Sequence, residues 1–295
     1  MSTILKADKD FIMNNLNGTV PTEIANEIIK GIVKESTAFS ICKHIPMGSN
    51  KKTVPVLTDT GTAFWTEESE RIGTSAMSWD YPELKAKKLA VIIPTTKEKI
   101  NDSVLDVMGE IKDGIKDAFN RAIDSAIFFG TKSPFDTNIF DAAKKNKITA
   151  TDKIDTDISK AMALVENDDR AVNAIVTHNG IKDSLRMLRD SNGNALIVPG
   201  GASGAQIYQT PIYIPSTKSF DKTKASFLMG DFNNALIGTR DDMEYEVLKE
   251  ATLFNEEGTP VLNLAQNDMI AIKVTMRFGF NITTDKAFSC IVPNA

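Results

Sequence analysis

Cysteine and histidine are almost missing from this 295-residue sequence, which holds two of each: Cys42 and Cys290, His44 and His178. No CxxC pair and no Cys/His cluster occurs, so the usual signatures of a zinc site, a dithiol redox centre or a disulfide framework are excluded. The two cysteines read as small core residues. Long apolar runs are missing as well. None approaches the ~20 residues that cross a bilayer, and the opening MSTILKADKDFIMNN lacks the basic-then-apolar order of a secretion signal. Nothing directs the chain to a membrane or out of the cytoplasm where it is made. The third absence is an excess of positive charge. Lys and Arg number 34 against 39 Asp and Glu, the net charge is −5, and the cations are scattered. That distribution leaves no electrostatic footprint for gripping nucleic acid, so any DNA it meets is not bound by sequence.

Catalytic equipment is equally thin. His44 stands beside a Pro/Gly break, and His178 ends a strand beside Asn179, a place for a solvent-facing or capping side chain. The glycine-rich GGASG at 200–204 lacks the Lys-Ser/Thr of a phosphate loop and opens no convincing helix. The paired acids Asp168-Asp169 and Asp241-Asp242 read as solvated turns at loop ends. An α/β enzyme is therefore a remote reading, and no cofactor or metal is implied.

What is present is a core of useful size and several unusually long elements. At 42% hydrophobic the chain can bury one large domain or two. In Ser103–Phe129, the residues Val104, Met108, Ile111, Ile115, Ala118, Phe119, Ala122, Ala126 and Phe129 recur at steps of three and four. Asp106, Glu110, Lys112, Asp113, Lys116, Asp117, Arg121 and Asp124 take the other face. That spacing makes one amphipathic helix, a rod of roughly 40 Å, stopped by Gly130. Gly109 and Gly114 sit inside it, each costing ~1 kcal/mol relative to alanine, which makes them candidates for spine flexibility. The clearest alternation is MIAIKVTMRFGFNIT, 269–283, where Ile270, Ile272, Val274, Met276, Phe278, Phe280 and Ile282 are all apolar. As a strand it spans roughly 44 Å, so helix and strand can lie side by side along their full lengths.

The remaining elements follow in order. Residues 1–18 read as an arm. A helix then starts at Thr19 and Pro21, carries Ile24, Ile28, Ile29, Ile32 and Val33, and ends near Ser36; HIPMGS, 44–49, breaks the pattern. KKTVPVL, 51–57, and AKKLAVIIP, 86–94, are strands, the first confined to an edge or bulge by Pro55. Between them lie about 25 polar residues with Trp65 and Trp79, the composition of a long projecting hairpin whose aromatics anchor a partner. Further on come a helix over Thr156–Glu166, a buried strand Ala174–Thr177 and a short helix capped by Asn179 with Ile181, Leu185 and Leu188 inward. A turn at Asp190–Gly193, a strand Ala195–Val198 and an edge strand over 210–216 come next. Strand, Gly230-Asp231 turn and strand complete an α/β unit. In DMEYEVLKE, Glu244 and Glu246 give an acidic outer face.

This order of parts resembles the tailed-bacteriophage major capsid proteins of HK97 fold. Locally, AIVTHNGIKDSLRMLRDSNGNALIV is similar to that family's strand, helix, Leu-x-Asp and turn-glycine segment, here Leu188, Arg189, Asp190 and Gly193. QTPIYIPS is similar to its Gly-x-Pro-Val strand, with Thr210 in place of the glycine. FLMGDFNNALIGTRDDMEYEV is similar to its Gly-Asp turn at Gly230 and Asp231, and FWTEES, 64–69, to its aromatic-then-Glu extended loop.

The resemblance implies an α+β HK97-like capsid fold: a spine helix on a long antiparallel sheet, an α/β axial domain, an extended two-stranded loop and an N-terminal arm. Its parts would be the arm and helix at 1–50, the extended loop at 51–93, a peripheral domain of 94–134 plus 240–279, and an axial domain of 135–239 plus 280–295. It implies a structural protein that self-assembles as hexamers and pentamers into an icosahedral shell in the virion, built in the host cytoplasm around double-stranded DNA. A portal is an implied partner; because Met1 stands almost at the arm with no scaffolding extension, scaffolding is expected to be either a separate protein or not required. Trp65, Glu67, Glu68, Glu70, Arg71 and Trp79 become inter-subunit contact candidates. The family's prototype joins a loop lysine to a neighbour's asparagine, helped by a glutamate in the long strand. Here no lysine lies between Lys52 and Lys85, and Lys273, Val274, Thr275 and Met276 stand in the strand, so a shell without covalent cross-links is expected. An encapsulin-like nanocompartment shell and a monomeric binding module are the alternatives.

Overall fold

The computed structural model describes residues 36–59, 61–96, 107–151, 153–188, 206–216, 219–254 and 258–294. The arm, the helix expected from Thr19, the first residues of the spine and the turn and strand over 190–198 lie outside them. Helix α1 (Thr37–Ile41) and strand β1 (Lys43–Pro46) come first. A ribbon goes out on β2 (Lys51–Thr53) and β3 (Val56–Asp59) and returns on β4 (Ser78–Asp80) and β5 (Glu83–Lys85) into β6 (Lys87–Thr96). The spine α2 (Val107–Phe129) is followed by α3 (Ile139–Ala143), β7 (Lys147–Thr149), α4 (Ile154–Glu166), β8 (Ala174–Thr177) and α5 (Lys182–Met187). Then come β9 (Gln206–Ile207), β10 (Thr210–Tyr213), β11 (Phe227–Gly230), the long β12 (Ala235–Leu248), the hairpin β13 (Thr252–Phe254) and β14 (Pro260–Asn263), the long β15 (Met269–Ile282) and β16 (Phe288–Val292).

Two sheets organise the fold. The first has the order β1-β12-β15-β6, antiparallel except for β1, which lies parallel to β12. Strict alternation in β15 decides its faces, since even-numbered residues from Ile270 to Ile282 are all buried. From Ile272 to Ile282 they share one core with Ile115, Phe119, Ile123 and Ile127 of the spine, each burial worth about 1.5–3 kcal/mol. The second sheet, β7-β16-β11-β8-β10-β9, has helix α4 on one face through Ile158, Ala161 and Met162. Its other face, through Val176, Leu228, Phe288 and Cys290, joins the core of the first. The two sheets are thus two layers on one continuous core. Burial pushes the Cys42 thiol far above its ordinary range and the Cys290 thiol up to about 11, so both are inert core residues.

The structure corrects the sequence reading in several places. HIP, 44–46, is not a break but the larger part of strand β1, which could form only once β12, far along the chain, was there to pair with it. Asn179 does not cap α5; it begins a single 3-10 turn at Asn179–Ile181 with no side-chain cap, although Leu185 is buried as expected. Pro55 splits the expected strand into β2 and β3. The strand expected over 86–94 is present as β6, which begins at residue 87 and pairs with β15 along its whole length. Asp241-Asp242 lie within β12, where its register shifts, and not at a loop end.

Asp124 is the largest departure. Periodicity puts it on the outer face of the spine, yet it is 1% exposed. Its Oδ1 accepts from the Ser36 hydroxyl at 2.7 Å and the Ala38 N–H at 3.0 Å, and its Oδ2 from the Thr37 N–H at 3.3 Å. The carboxylate meets the unpaired donors that begin α1, an arrangement a helical wheel cannot foresee. Burial raises its pKa to about 6, against the lowering effect of the Ala38 and Thr37 N–H groups and the Ser36 hydroxyl. Because the folded value lies above the ordinary 3.8, the folded state holds the extra proton between those two values. Asp124 therefore favours folding most below about pH 4 and loses that advantage as pH rises through 6. The melting temperature of the parent, relative to Asp124→Asn, is expected to climb as pH falls from 7 to 5; a flat or opposite difference contradicts the assignment.

Candidate assembly surfaces

A ribbon that leaves the body needs a stiff root. Here β2 pairs with β5 in the register Lys51↔Lys85, Lys52↔Leu84 and Thr53↔Glu83. Glu83 makes ion pairs to Lys51 and Lys85, both at 3.4 Å. Leu84, fully buried, packs with Met47 and Leu236 in a small satellite core on the outer face of the first sheet. Two glycines opposite each other in the register, Gly238 and Gly279, make room for this. A Cβ on Gly238 would stand 2.2 Å from Met47 Sδ, and one on Gly279 would stand 3.0 Å from the carbonyl oxygen of Lys85. The backbone approach is what a glycine inside a strand signals, and that signal was open to the sequence reading but went unused. Gly238→Val is expected to lift the root off the sheet, lowering the melting temperature by several degrees and exposing Leu84 to hydrogen exchange in the ribbon's first strands.

Beyond the root, β3 and β4 pair as Val56↔Asp80 and Leu57↔Trp79. From 62 to 80 every residue is exposed. The N–H of Thr62 donates to Ser75 Oγ at 2.8 Å, and the Phe64 ring fills the space over Gly73, so the two sides of the loop hold each other. The tip is a tight turn: the Glu70 N–H donates to the Glu67 carbonyl at 3.1 Å, with Ser69 left-handed at φ 71°. The six contact candidates lie on this ribbon. Trp65 is 103% exposed and Trp79 50%, with Phe64, Ile72, Met77 and Tyr81 exposed nearby; Glu67, Glu68, Glu70 and Arg71 sit at the tip. So much apolar surface on a protrusion is the composition of an interface.

Both spine glycines fall within α2. A Cβ on Gly114 would meet nothing within 4 Å, so nothing among the described residues requires a glycine there. Gly114→Ala is expected to stabilise the subunit by about 1 kcal/mol, read as a raised denaturant midpoint.

The histidines lie apart from any such surface. His44 Nε2 sits 2.5 Å from the Phe39 carbonyl oxygen. His178 packs against Phe220 at 5.8 Å, with burial and then Lys222 holding its pKa below the usual value. Among the described residues no three His, Cys, Asp or Glu side chains converge as a metal site, and no helix is long and apolar enough to cross a membrane.

Comparison with known proteins agrees with this architecture. The phage capsid family model matches residues 17–292. The chain is 28% identical to the major capsid protein of Staphylococcus phage 80alpha, across 98% of this chain and 90% of that one. It is 23% identical to the probable major capsid protein gp17 of Mycobacterium phage D29, across 92% and 89%. A solved chain of Microbacterium phage Oxtober96 superposes with a TM-score of 0.74 at 29% identity, covering 88% of this chain and 91% of that one. The capsid of an empty GTA particle shares the fold, with a TM-score of 0.62 at 16% identity and 88% and 90% coverage. These relatives favour a phage shell over an encapsulin-like compartment. With a spine helix and two layered sheets on one core, a projecting ribbon, and a family match over nearly its whole length, the chain belongs to the phage capsid family, as a structural shell protein of HK97-like fold and not an enzyme.

Proposed function

We propose that the chain is the head-shell subunit of a tailed phage, assembling as hexamers and pentamers into an icosahedral shell around double-stranded DNA, with each ribbon lying over a neighbouring subunit. The ribbon carries the reading. An isolated subunit gains nothing from holding Trp65, Phe64, Ile72 and Met77 in water, whereas a closed shell covers them and multiplies individually modest contacts through high effective concentration. Trp65 and Trp79 are the anchors, and Glu67, Glu68, Glu70 and Arg71 the charged rim.

The first sheet with the spine forms the peripheral domain, 94–134 plus 240–279, to which β1 and β6 add their strands. The second sheet forms the axial domain, 135–239 plus 280–295, which meets its copies around five-fold and six-fold axes. Gly109 and Gly114 give the spine a soft point for the curvature of the shell. Closure is non-covalent: no lysine stands between Lys52 and Lys85, and the Lys273 ammonium on β15 is engaged by Glu246 at 2.6 Å. A portal is the partner during assembly in the host cytoplasm, and the finished shell is part of the virion. DNA is enclosed without sequence-specific contacts.

Negative-stain microscopy of the expressed chain, alone and with proteins encoded beside it, tests this. Closed shells, or rings of five and six, are expected. Uniform 32.3 kDa monomers under every condition would overturn the reading, and covalent ladders in denaturing gels would overturn the non-covalent closure.

A further inference from the structure

The ribbon is built as two pieces. Its root, β2 with β5, and its outer half, β3 with β4, are separate two-stranded sheets. Yet one register runs through both, with Thr53 opposite Glu83 and Val56 opposite Asp80. On that register Val54 faces Pro82 and Pro55 faces Tyr81, so each strand carries a proline at the same level. The Val54 N–H donates to the Pro82 carbonyl at 3.1 Å, which marks a pair that exchanges two hydrogen bonds in an ordinary antiparallel ladder. Pro82 has no N–H, and the second bond cannot form. Pro55 holds its own φ at about −65°, well away from the roughly −140° of antiparallel strands.

The two sides of this level are held differently. On the root side Leu84 is buried with Met47 and Leu236, and Val54 packs against the same small core. The Lys52 ammonium donates to the Pro46 carbonyl at 2.6 Å, and the Ala86 N–H to the Asn50 carbonyl at 2.8 Å. On the outer side every residue from 62 to 80 is exposed, and the loop holds itself through Thr62 with Ser75 and Phe64 over Gly73. One body fixed to the core and one clear of it, joined where the ladder lacks a bond, have the construction of a hinge.

A shell of hexamers and pentamers asks one chain to make the same contact at two angles. Successive copies are turned by about 72° in a ring of five and about 60° in a ring of six. From Val56 to the turn at Glu67 the outer half reaches roughly 35–40 Å if extended, so a difference of about 12° moves its tip by about 8 Å. Side chains touch only within ~4.5 Å, and a rigid ribbon seated in one kind of ring would miss its seat in the other. We propose that Pro55 and Pro82 form a joint on which the outer ribbon swings, keeping one ribbon contact in both kinds of ring. The proposal rests on the reading of the ribbon as an inter-subunit contact and adds how that contact adapts.

Closing the joint in the full chain tests it. One variant carries Pro82→Val, which supplies the missing donor, and a second carries Pro55→Val as well. Both are surface changes, and melting is expected within about 2 °C of the parent. In the unassembled subunit, hydrogen exchange of the amides over 54–57 and 79–84 is expected to slow about ten-fold or more in the double variant. Under the electron microscope its yield of closed shells is expected to fall about ten-fold or more, with flat sheets or tubes of six-membered rings in their place. Closed shells at the parent yield, from a chain whose exchange has slowed, overturn the joint. Unchanged exchange overturns it too, because the prolines then do not interrupt the ribbon. So does the loss of all rings, which would mean that the substitutions damage the contact itself. Deletion of residues 60–77 separates the two levels. Normal shells from that chain would remove the ribbon reading; normal shells from the proline-free chain alone would leave the contact standing and remove only the joint.

Discussion

Removal of residues 60–77, with Asp59 joined to Ser78 through Asn-Gly, is expected to give a subunit that melts within about 2 °C of the parent and forms no closed shells. Asp59 and Ser78 are already opposite each other in the ribbon, and a two-residue Asn-Gly turn matches the twist of such a pair. None of the described residues in the deleted span belongs to a core cluster, so folding loses almost no buried surface and sheds the entropy cost of a long loop. Assembly loses the exposed anchors Trp65, Phe64, Ile72 and Met77 at every contact. A buried aromatic anchor is worth about 2 kcal/mol or more. Repeated around a ring and over a shell, that loss acts many times on one equilibrium. Trp65→Ala alone is expected to raise the concentration needed for assembly about ten-fold or more, read by light scattering against protein concentration. Normal shells from the deleted chain would remove the ribbon from the mechanism.

What the sequence discloses about this fold depends on how far each residue's partner lies along the chain. The alternation in β15, the projecting ribbon with its two tryptophans, and the strand-turn-strand at Gly230-Asp231 are local patterns, and the structure has all three. Strand β1 escapes a local reading because its partner among the described residues, β12, lies almost two hundred residues away. Asp124 is misplaced for the same reason: its charge marks it as outward, and the three donors that let it turn inward belong to residues 36–38. Near the end of the spine Ile123, Ile127 and Phe128 are all buried, although they fall outside the predicted stripe. Helices α1 and α3 pack there, so the helix no longer has a solvent face. Of the assembly surfaces, the ribbon side chains are legible as exposed aromatics among polar residues.

Gly230→Ala is expected to be the most damaging single substitution, costing the subunit roughly 3–5 kcal/mol and lowering its melting temperature by about 10 °C or more. Gly230 ends β11, and the chain turns there from the second sheet into the first. Its φ of 156° is a conformation side chains rarely adopt, and a Cβ would stand 2.2 Å from the carbonyl oxygen of Ala287. That oxygen belongs to backbone and cannot swing aside, because it accepts from the Asp231 N–H at 2.9 Å. The rest of the corner leans on the same position. The Gly230 carbonyl accepts from the Asn173 N–H at 3.1 Å; the Asn173 side chain in turn donates to Asp231 at 2.9 Å and accepts from the Phe232 N–H at 3.0 Å. Asp231 further accepts from the Asn233 N–H at 3.1 Å and the Asn234 side chain at 2.8 Å. Adding one methyl therefore shifts β16 or breaks a network that holds both sheets in place, and loosens the angle between the layers that a shell lattice needs. Asp231→Asn serves as the comparison, because it keeps the backbone and weakens only part of the network. It is expected to cost about 1–2 kcal/mol. Equal losses for the two variants, measured by thermal denaturation, would mean that the hydrogen bonds hold the corner and that the glycine is incidental.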